Sequence, residues 1–242
     1  MNIKKIAVFV EGQTEYIFVR DFLCAWYEYD AQKLGLECYQ FKGNKTNNVP
    51  YPFGTRESEN FYLIYNVGND QSVVSKMLKE APRLQHSGYQ LIVGLNDMYC
   101  DDYHTCVKNR QISMKVNEKF KNERNKVIQL QGLTHLIKPH FAIMEVEAWF
   151  LGMYECLQRI NKRFTPELIK DKLGTDITKD PETTVYHPAK VLNDIYQLEN
   201  MQYGKHASDA YAITSTLTKE DFLYLMNSGK CQSFKDFVNE IV

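Results

Sequence analysis

The stretch Ile6-Ala7-Val8-Phe9-Val10-Glu11-Gly12-Gln13-Thr14-Glu15 decides the reading of the fold. Five consecutive apolar residues without polar alternation describe a strand buried on both faces, the habit of a parallel sheet. The run is too short for a membrane span or a signal-peptide core, and Glu11 follows it directly. Beyond the Gly12 turn, Ile17, Phe18, Phe22, Leu23 and Trp26 recur at helical spacing. Thr14 is placed to cap that helix, and Glu15 sits near its positive end.

Working outward, Glu37 to Lys42 reads as a second strand, and Gly43 to Asn60, polar and carrying Pro50 and Pro52, as a long excursion. Phe61 to Val67 is the next strand, closing in Gly68-Asn69-Asp70, and Val73, Val74, Met77 and Leu78 mark a helix. Leu91-Ile92-Val93-Gly94-Leu95 is a strong strand that runs into Asn96-Asp97. A charged helix is expected from about Thr105 to Lys126, a strand within His135 to Met144, and a helix from Glu145 to Leu157. This β-α-β-α order predicts an α/β domain over residues 1–155, with a mainly parallel sheet flanked by helices. From residue 156 the strand signals stop. Pro166, Pro181 and Pro188 punctuate short helices down to Phe234–Ile241, so residues 156–242 are expected to form a helical C-terminal annex.

Composition excludes several classes. With 44% hydrophobic and 24% charged residues the chain is neither disordered nor fibrous. Lys and Arg number 29 against 30 Asp and Glu, so no global basic field draws in nucleic acid, and only a local patch could. The six cysteines contain no C-x-x-C pair and are expected to be reduced thiols of a soluble, cytoplasmic protein. Cys100, His104 and Cys106 are spaced as a partial zinc cluster that lacks a fourth ligand. No Walker-type loop, G-x-G-x-x-G or G-x-S-x-G is present, which leaves kinase-like, dinucleotide-dependent and serine-hydrolase readings without support.

Three apolar strands end in carboxylates: Glu11 after the first, Asp97 with Asp101 and Asp102 after another, Glu145 and Glu147 after the last. In an open parallel sheet ligands bind beyond the carboxyl ends of the strands, so these acids converge if the strands are neighbours. Clustered carboxylates repel one another and are neutralised by a hard divalent cation, Mg2+ or Mn2+. Such ions hold phosphate oxygens and activate water, which points to phosphodiester chemistry. Acids after strands also arise simply because loops are polar and Asp or Glu often opens a helix. Lys108, Arg110, Lys115 and Lys119 begin a basic run that continues through Lys126, with positions 108, 115, 119 and 126 on one helical face. That run is either a phosphate-backbone track beside the acids or a solvated helix face. Trp26 and Trp149 sit on apolar helical stripes and are expected to pack in the core.

The run Val10-Glu11-Gly12-Gln13-Thr14-Glu15 resembles the opening of Toprim domains, especially those of OLD-type nucleases and their small stand-alone bacterial relatives. Asn96-Asp97-Met98-Tyr99 is similar to their Asp-x-Asp strand end, and Glu145-Val146-Glu147-Ala148-Trp149 to a third motif. His187-Pro188-Ala189-Lys190 and Ser233-Phe234-Lys235-Asp236-Phe237 resemble the helical tail. The resemblance implies a Toprim-like fold, Mg2+ or Mn2+ dependence, nuclease activity in bacterial defence or DNA processing, and an AAA-type ATPase partner, with DNA favoured over RNA. It makes Glu11, Asp97 and Glu147 the candidate catalytic residues, with Glu11 a metal ligand or general base. Asp97, Asp101, Glu145 and Glu147 are the other candidate metal ligands. Tyr99 stands where the second acid of Asp-x-Asp is expected, and a phenol is a poor Mg2+ ligand. The alternative is therefore a non-catalytic adaptor subunit that keeps the fold with a degenerate metal site.

Overall fold

A computed structural model describes residues 3–43, 45–68 and 72–242. The Asn69-Asp70 turn expected after the third strand lies outside the described residues. In chain order the elements are β1 (Lys4–Val10), α1 (Gln13–Trp26), β2 (Leu34–Lys42), β3 (Lys45–Phe53), β4 (Asn60–Asn66), α2 (Val73–His86), β5 (Leu91–Asp97), α3 (Asp101–Cys106), α4 (Met114–Leu130) and β6 (Ile137–Ala142). Then follow only helices: α5 (Glu147–Gly152), α6 (Glu155–Ile160), α7 (Pro166–Leu173), α8 (Pro181–Thr184), α9 (Pro188–Gln197), α10 (Ala207–Thr214), α11 (Lys219–Asn227) and α12 (Gln232–Ile241).

The strands form one sheet in the order β3-β2-β4-β1-β5-β6, parallel throughout except for the β2–β3 pair. This is the α/β architecture with a helical C-terminal segment that the alternation predicts. The unbroken apolar run of β1 has its reason in burial on both faces. Ile6, Val8 and Val10 join one core while Ala7 and Phe9 join the other, and all five are 0% exposed. The first core extends from Ile6 to Ile241 and packs α1 and the later helices on one face of the sheet. Tyr62 of β4 donates its hydroxyl to the Ile241 carbonyl of α12 at 2.8 Å, which ties the end of the last helix to a central strand. The second core holds Val73, Met77 and Leu84 of α2 and Ile128 of α4 against the opposite face.

Local expectations fail where distant partners decide. The Gly43–Asn60 excursion contains β3, which folds back on β2 through Gly43 at φ +61°. Its prolines are tolerated because β3 is the sheet edge. The helix expected over 105–126 is broken: Asn109 and Arg110 adopt left-handed backbone, and α4 starts afresh after Ser113. The buried Tyr103 hydroxyl holds this break by accepting from the Ser113 N–H at 3.0 Å and donating to Asn117 Oδ1 at 2.6 Å. The single helix expected over 145–157 is instead α5 and α6, separated at Met153 and Tyr154. Thr14 does not cap α1. Gly12 occupies that position, and Thr14 is buried in the first turn. Pro166, Pro181 and Pro188 each lie in the first turn of a helix, where the missing N–H costs nothing. Among the described residues no helix is long and apolar enough to cross a membrane.

Candidate metal centre

Because β1, β5 and β6 are adjacent and parallel, their carboxyl ends lie side by side. Glu11 follows β1, Asp97 ends β5, and Glu145 and Glu147 follow β6 within a sharp turn at Met144, whose φ is +66°. The backbone N–H of Asp97 donates to Glu11 Oε2 at 3.0 Å, and Asp97 Oδ1 accepts from the Val146 N–H at 3.1 Å. Carboxylate oxygens of Asp97, Glu145 and Glu147 lie within 4.8 Å of one another. Glu15 is buried just behind them. A Cβ on Gly12 would approach Glu15 Oε2 to 2.9 Å, so the glycine leaves room for that carboxylate to fold inward.

The C-terminal helices build the facing wall. Glu145 Oε2 accepts from the Ala189 N–H at the start of α9 at 2.9 Å and lies 3.1 Å from His187 Nδ1. A helix N-terminus favours a carboxylate there. Glu147 Oε1 accepts from the Tyr203 hydroxyl at 2.8 Å, while Glu147 Oε2 is buried and, among the described residues, makes no hydrogen bond. Lys205 reaches into the group: its Nζ lies 3.0 Å from Glu145 Oε1, 3.5 Å from Glu147 Oε2 and 3.9 Å from Asp97 Oδ2. Its backbone is left-handed, at φ +58°. The neighbouring N–H groups of Gly204 and His206 both donate to Asp209 Oδ2, at 2.7 and 3.2 Å, which secures that conformation.

Burial and crowding of like charges set the electrostatics. Burial, then the charges of Glu15, Glu11 and Glu147, push the Asp97 carboxyl well above the usual range, with Lys205 opposing them. Burial pushes Glu147 up to about 7, again against Lys205, with Glu145 and Glu15 adding to the rise. Lys205 itself is disfavoured by burial, but the surrounding carboxylates outweigh this and hold its ammonium above the ordinary lysine range. One ammonium faces three carboxylates within 4 Å.

The sequence profile described as "Domain of unknown function (DUF4276)" matches residues 10–242, from the end of β1 to the last residue. The chain belongs to the DUF4276 family. No curated protein matches it, and no solved structure does. The matched stretch contains the strand-end acids and the helical wall alike.

In this DUF4276 chain the expected site residues divide into two groups. Glu11, Asp97, Glu145 and Glu147 meet, whereas Asp101 does not join them. It is exposed with Asp102 on the first turn of α3, and so corrects the expected ligand set. Tyr99 packs its ring 4.3 Å from the His187 ring and 4.4 Å from that of His104, which makes it an aromatic neighbour of the site. Lys108 and Arg110 are exposed in the loop between α3 and α4, so Lys108 shares no helical face with Lys115 and Lys119 on α4. Arg110 is close enough for its charge to act on the Tyr99 phenol. His104 Nδ1 pairs with the Tyr186 hydroxyl at 2.7 Å. The Asp97–Glu145–Glu147 trio is the metal-compatible group found among the described residues, and the Cys100–His104–Cys106 cluster does not form one. Trp149 is fully buried in the first core and Trp26 packs against its rim. Sequence reasoning missed Tyr203 and Lys205 entirely. His187 entered only through the likeness of His187-Pro188-Ala189-Lys190 to the helical tail, which gave it no role at the site.

Proposed function

We propose that this protein is a divalent-metal-dependent phosphodiesterase acting on nucleic acid, a DNA nuclease of the Toprim type in a bacterial defence or DNA-processing system. The observation that carries the reading is the convergence of Asp97, Glu145 and Glu147 at the carboxyl ends of adjacent parallel strands. The donor set fits a hard cation: the ligands are all carboxylate oxygens, and one of them, Glu147 Oε2, is buried without a hydrogen bond. Asp97, Glu145 and Glu147 would hold Mg2+ or Mn2+. When bound, the ion supplies charge neutralisation for a phosphate and acidification of water.

The chain's own residues supply positioning. Glu11, fixed through the Asp97 N–H, stands beside the cluster as the candidate proton acceptor. Tyr203 and the α9 N-terminus orient Glu147 and Glu145. Arg110, with Lys115 and Lys119 on α4, offers cations for a phosphate backbone. An AAA-type ATPase partner and a cytoplasmic setting belong to the same reading. A second reading, the non-catalytic adaptor, rests on Tyr99 in place of a second motif acid.

The deciding experiment is Mn2+- and Mg2+-dependent cleavage of DNA and RNA by the protein and by its Glu11→Ala and Asp97→Ala variants. Metal-dependent cleavage lost in both variants is expected. Cleavage unchanged in both would end the assignment, and Mn2+ binding without cleavage would favour the adaptor.

A further inference from the structure

We propose that Lys205 is a built-in counter-cation that occupies the Asp97–Glu145–Glu147 group in the metal-free protein and must withdraw when a divalent ion binds. This rests on the metal-centre reading above and deepens it: the Tyr203–His206 loop then sets how tightly the ion is held.

The geometry points to shared occupancy of one position. The Lys205 ammonium contacts the same three carboxylates, at 3.0, 3.5 and 3.9 Å, whose oxygens lie within 4.8 Å of each other. A metal ion bound to such oxygens sits at about 2.1 Å from each, in the space between them. An ion in that space and an ammonium in contact with the same oxygens would lie against each other, so the ammonium has to move out. The single ammonium also leaves the group incompletely satisfied, since Glu147 Oε2 is 0% exposed as a side chain and has no hydrogen bond. Among the described residues that buried oxygen has no hydrogen bond and only the 3.5 Å ion pair to Lys205, the second sign that the site is built for more than a lysine.

Withdrawal needs no rearrangement of the core. The Lys205 side chain is 39% exposed, so rotation about its own stem can carry the ammonium to water. The loop itself stays in place. Tyr203 N–H is held by Asn193 Oδ1 at 3.0 Å, and Gly204 and His206 are held by Asp209. The left-handed backbone at Lys205 is thus fixed by its neighbours, and only the side chain has to move.

The test is calorimetric titration of Mn2+ into the full chain and into Lys205→Met at neutral pH. The variant is expected to bind Mn2+ roughly tenfold more tightly or better, because no cation has to be displaced. Binding by both proteins with the variant equal or weaker overturns the inference and leaves the metal-centre reading standing. Binding by the variant alone supports the inference and removes the metal-dependent activity proposed for the natural chain. Binding by neither overturns both. A second measurement avoids dependence on the variant's folding: acylation of Lys205 by an amine-reactive reagent in the natural chain, followed by mass spectrometry. Saturating Mn2+ is expected to raise the Lys205 labelling rate several-fold relative to the other lysines, and an unchanged rate overturns the proposal.

Discussion

The backbone N–H of Asp97 donates to Glu11 Oε2 at 3.0 Å, joining residues eighty-six positions apart. The bond crosses from the end of β5 to the end of β1, and Asp97 in turn accepts from the Val146 N–H beyond β6. Asp97 therefore stands at the middle of three neighbouring strand ends, linked to both sides. Its carboxyl is pushed well above the ordinary range by burial and by the acids around it. Such a residue has much to gain from a cation and little tolerance for losing its hydrogen bonds.

Asp97→Asn keeps an acceptor for Val146 and removes one charge. In the natural chain, Mn2+ at a hundred times its dissociation constant is expected to add about 2.7 kcal/mol of stability. The variant should gain less than about 1 kcal/mol under the same conditions. Thermal melts with and without Mn2+ read the difference, and an equal shift in both proteins would remove Asp97 from the ligand set.

Tyr203→Phe deletes a hydroxyl that hydrogen-bonds Glu147. A buried carboxylate deprived of a donor costs about 1–3 kcal/mol. The cost falls on the ionised form, so it should be larger at pH 8 than at pH 5, below the Glu147 value of about 7. Urea denaturation of the metal-free protein at the two pH values measures this. Equal midpoints for variant and natural chain at pH 8 would contradict it.

Glu182 offers a pH test away from the metal centre. It is buried beneath α12, where its carboxylate accepts from Trp149 Nε1 at 3.0 Å and from the Ser233 N–H at 3.1 Å. Burial pushes it from 4.5 up to about 7, against those hydrogen bonds. A carboxyl raised in the folded state stabilises below its unfolded value and loses that contribution as pH rises to the folded value. The natural chain should thus lose up to about 3 kcal/mol from this group between pH 4.5 and 7.5, a slope that Glu182→Gln abolishes. The stability difference between the two proteins, followed across that range, should change with pH. A constant difference would refute the assignment.

Charge reversal of Lys115 and Lys119 examines the basic face of α4. If it tracks a phosphate backbone, the double Glu variant should bind DNA more weakly at low salt, with a salt dependence shallower by about two units of slope. Filter binding across a salt series gives both quantities. Unchanged affinity and slope would mark α4 as a solvated face, in keeping with the Lys119–Glu123 and Lys121–Glu118 pairs already on it.

The sequence by itself determined five of the strands, the mainly parallel class and the carboxylates at the strand ends, because burial on both faces leaves an unbroken apolar run; β3 stayed hidden in the polar Gly43–Asn60 stretch because an exposed edge strand carries no such run. Ile6 to Val10 and Leu91 to Leu95 carry that signature without outside help. Only the tertiary structure decided that β1, β5 and β6 lie side by side, that Asp101 stays outside the cluster, and that Lys205 reaches Glu145 from sixty positions away. Strand order and charge neutralisation are long-range matters, and Gly204-Lys205-His206 is locally no different from any polar loop. The helix break before α4 has the same origin: a buried Tyr103 hydroxyl and two left-handed residues override a charged stretch that, read alone, favours an unbroken helix.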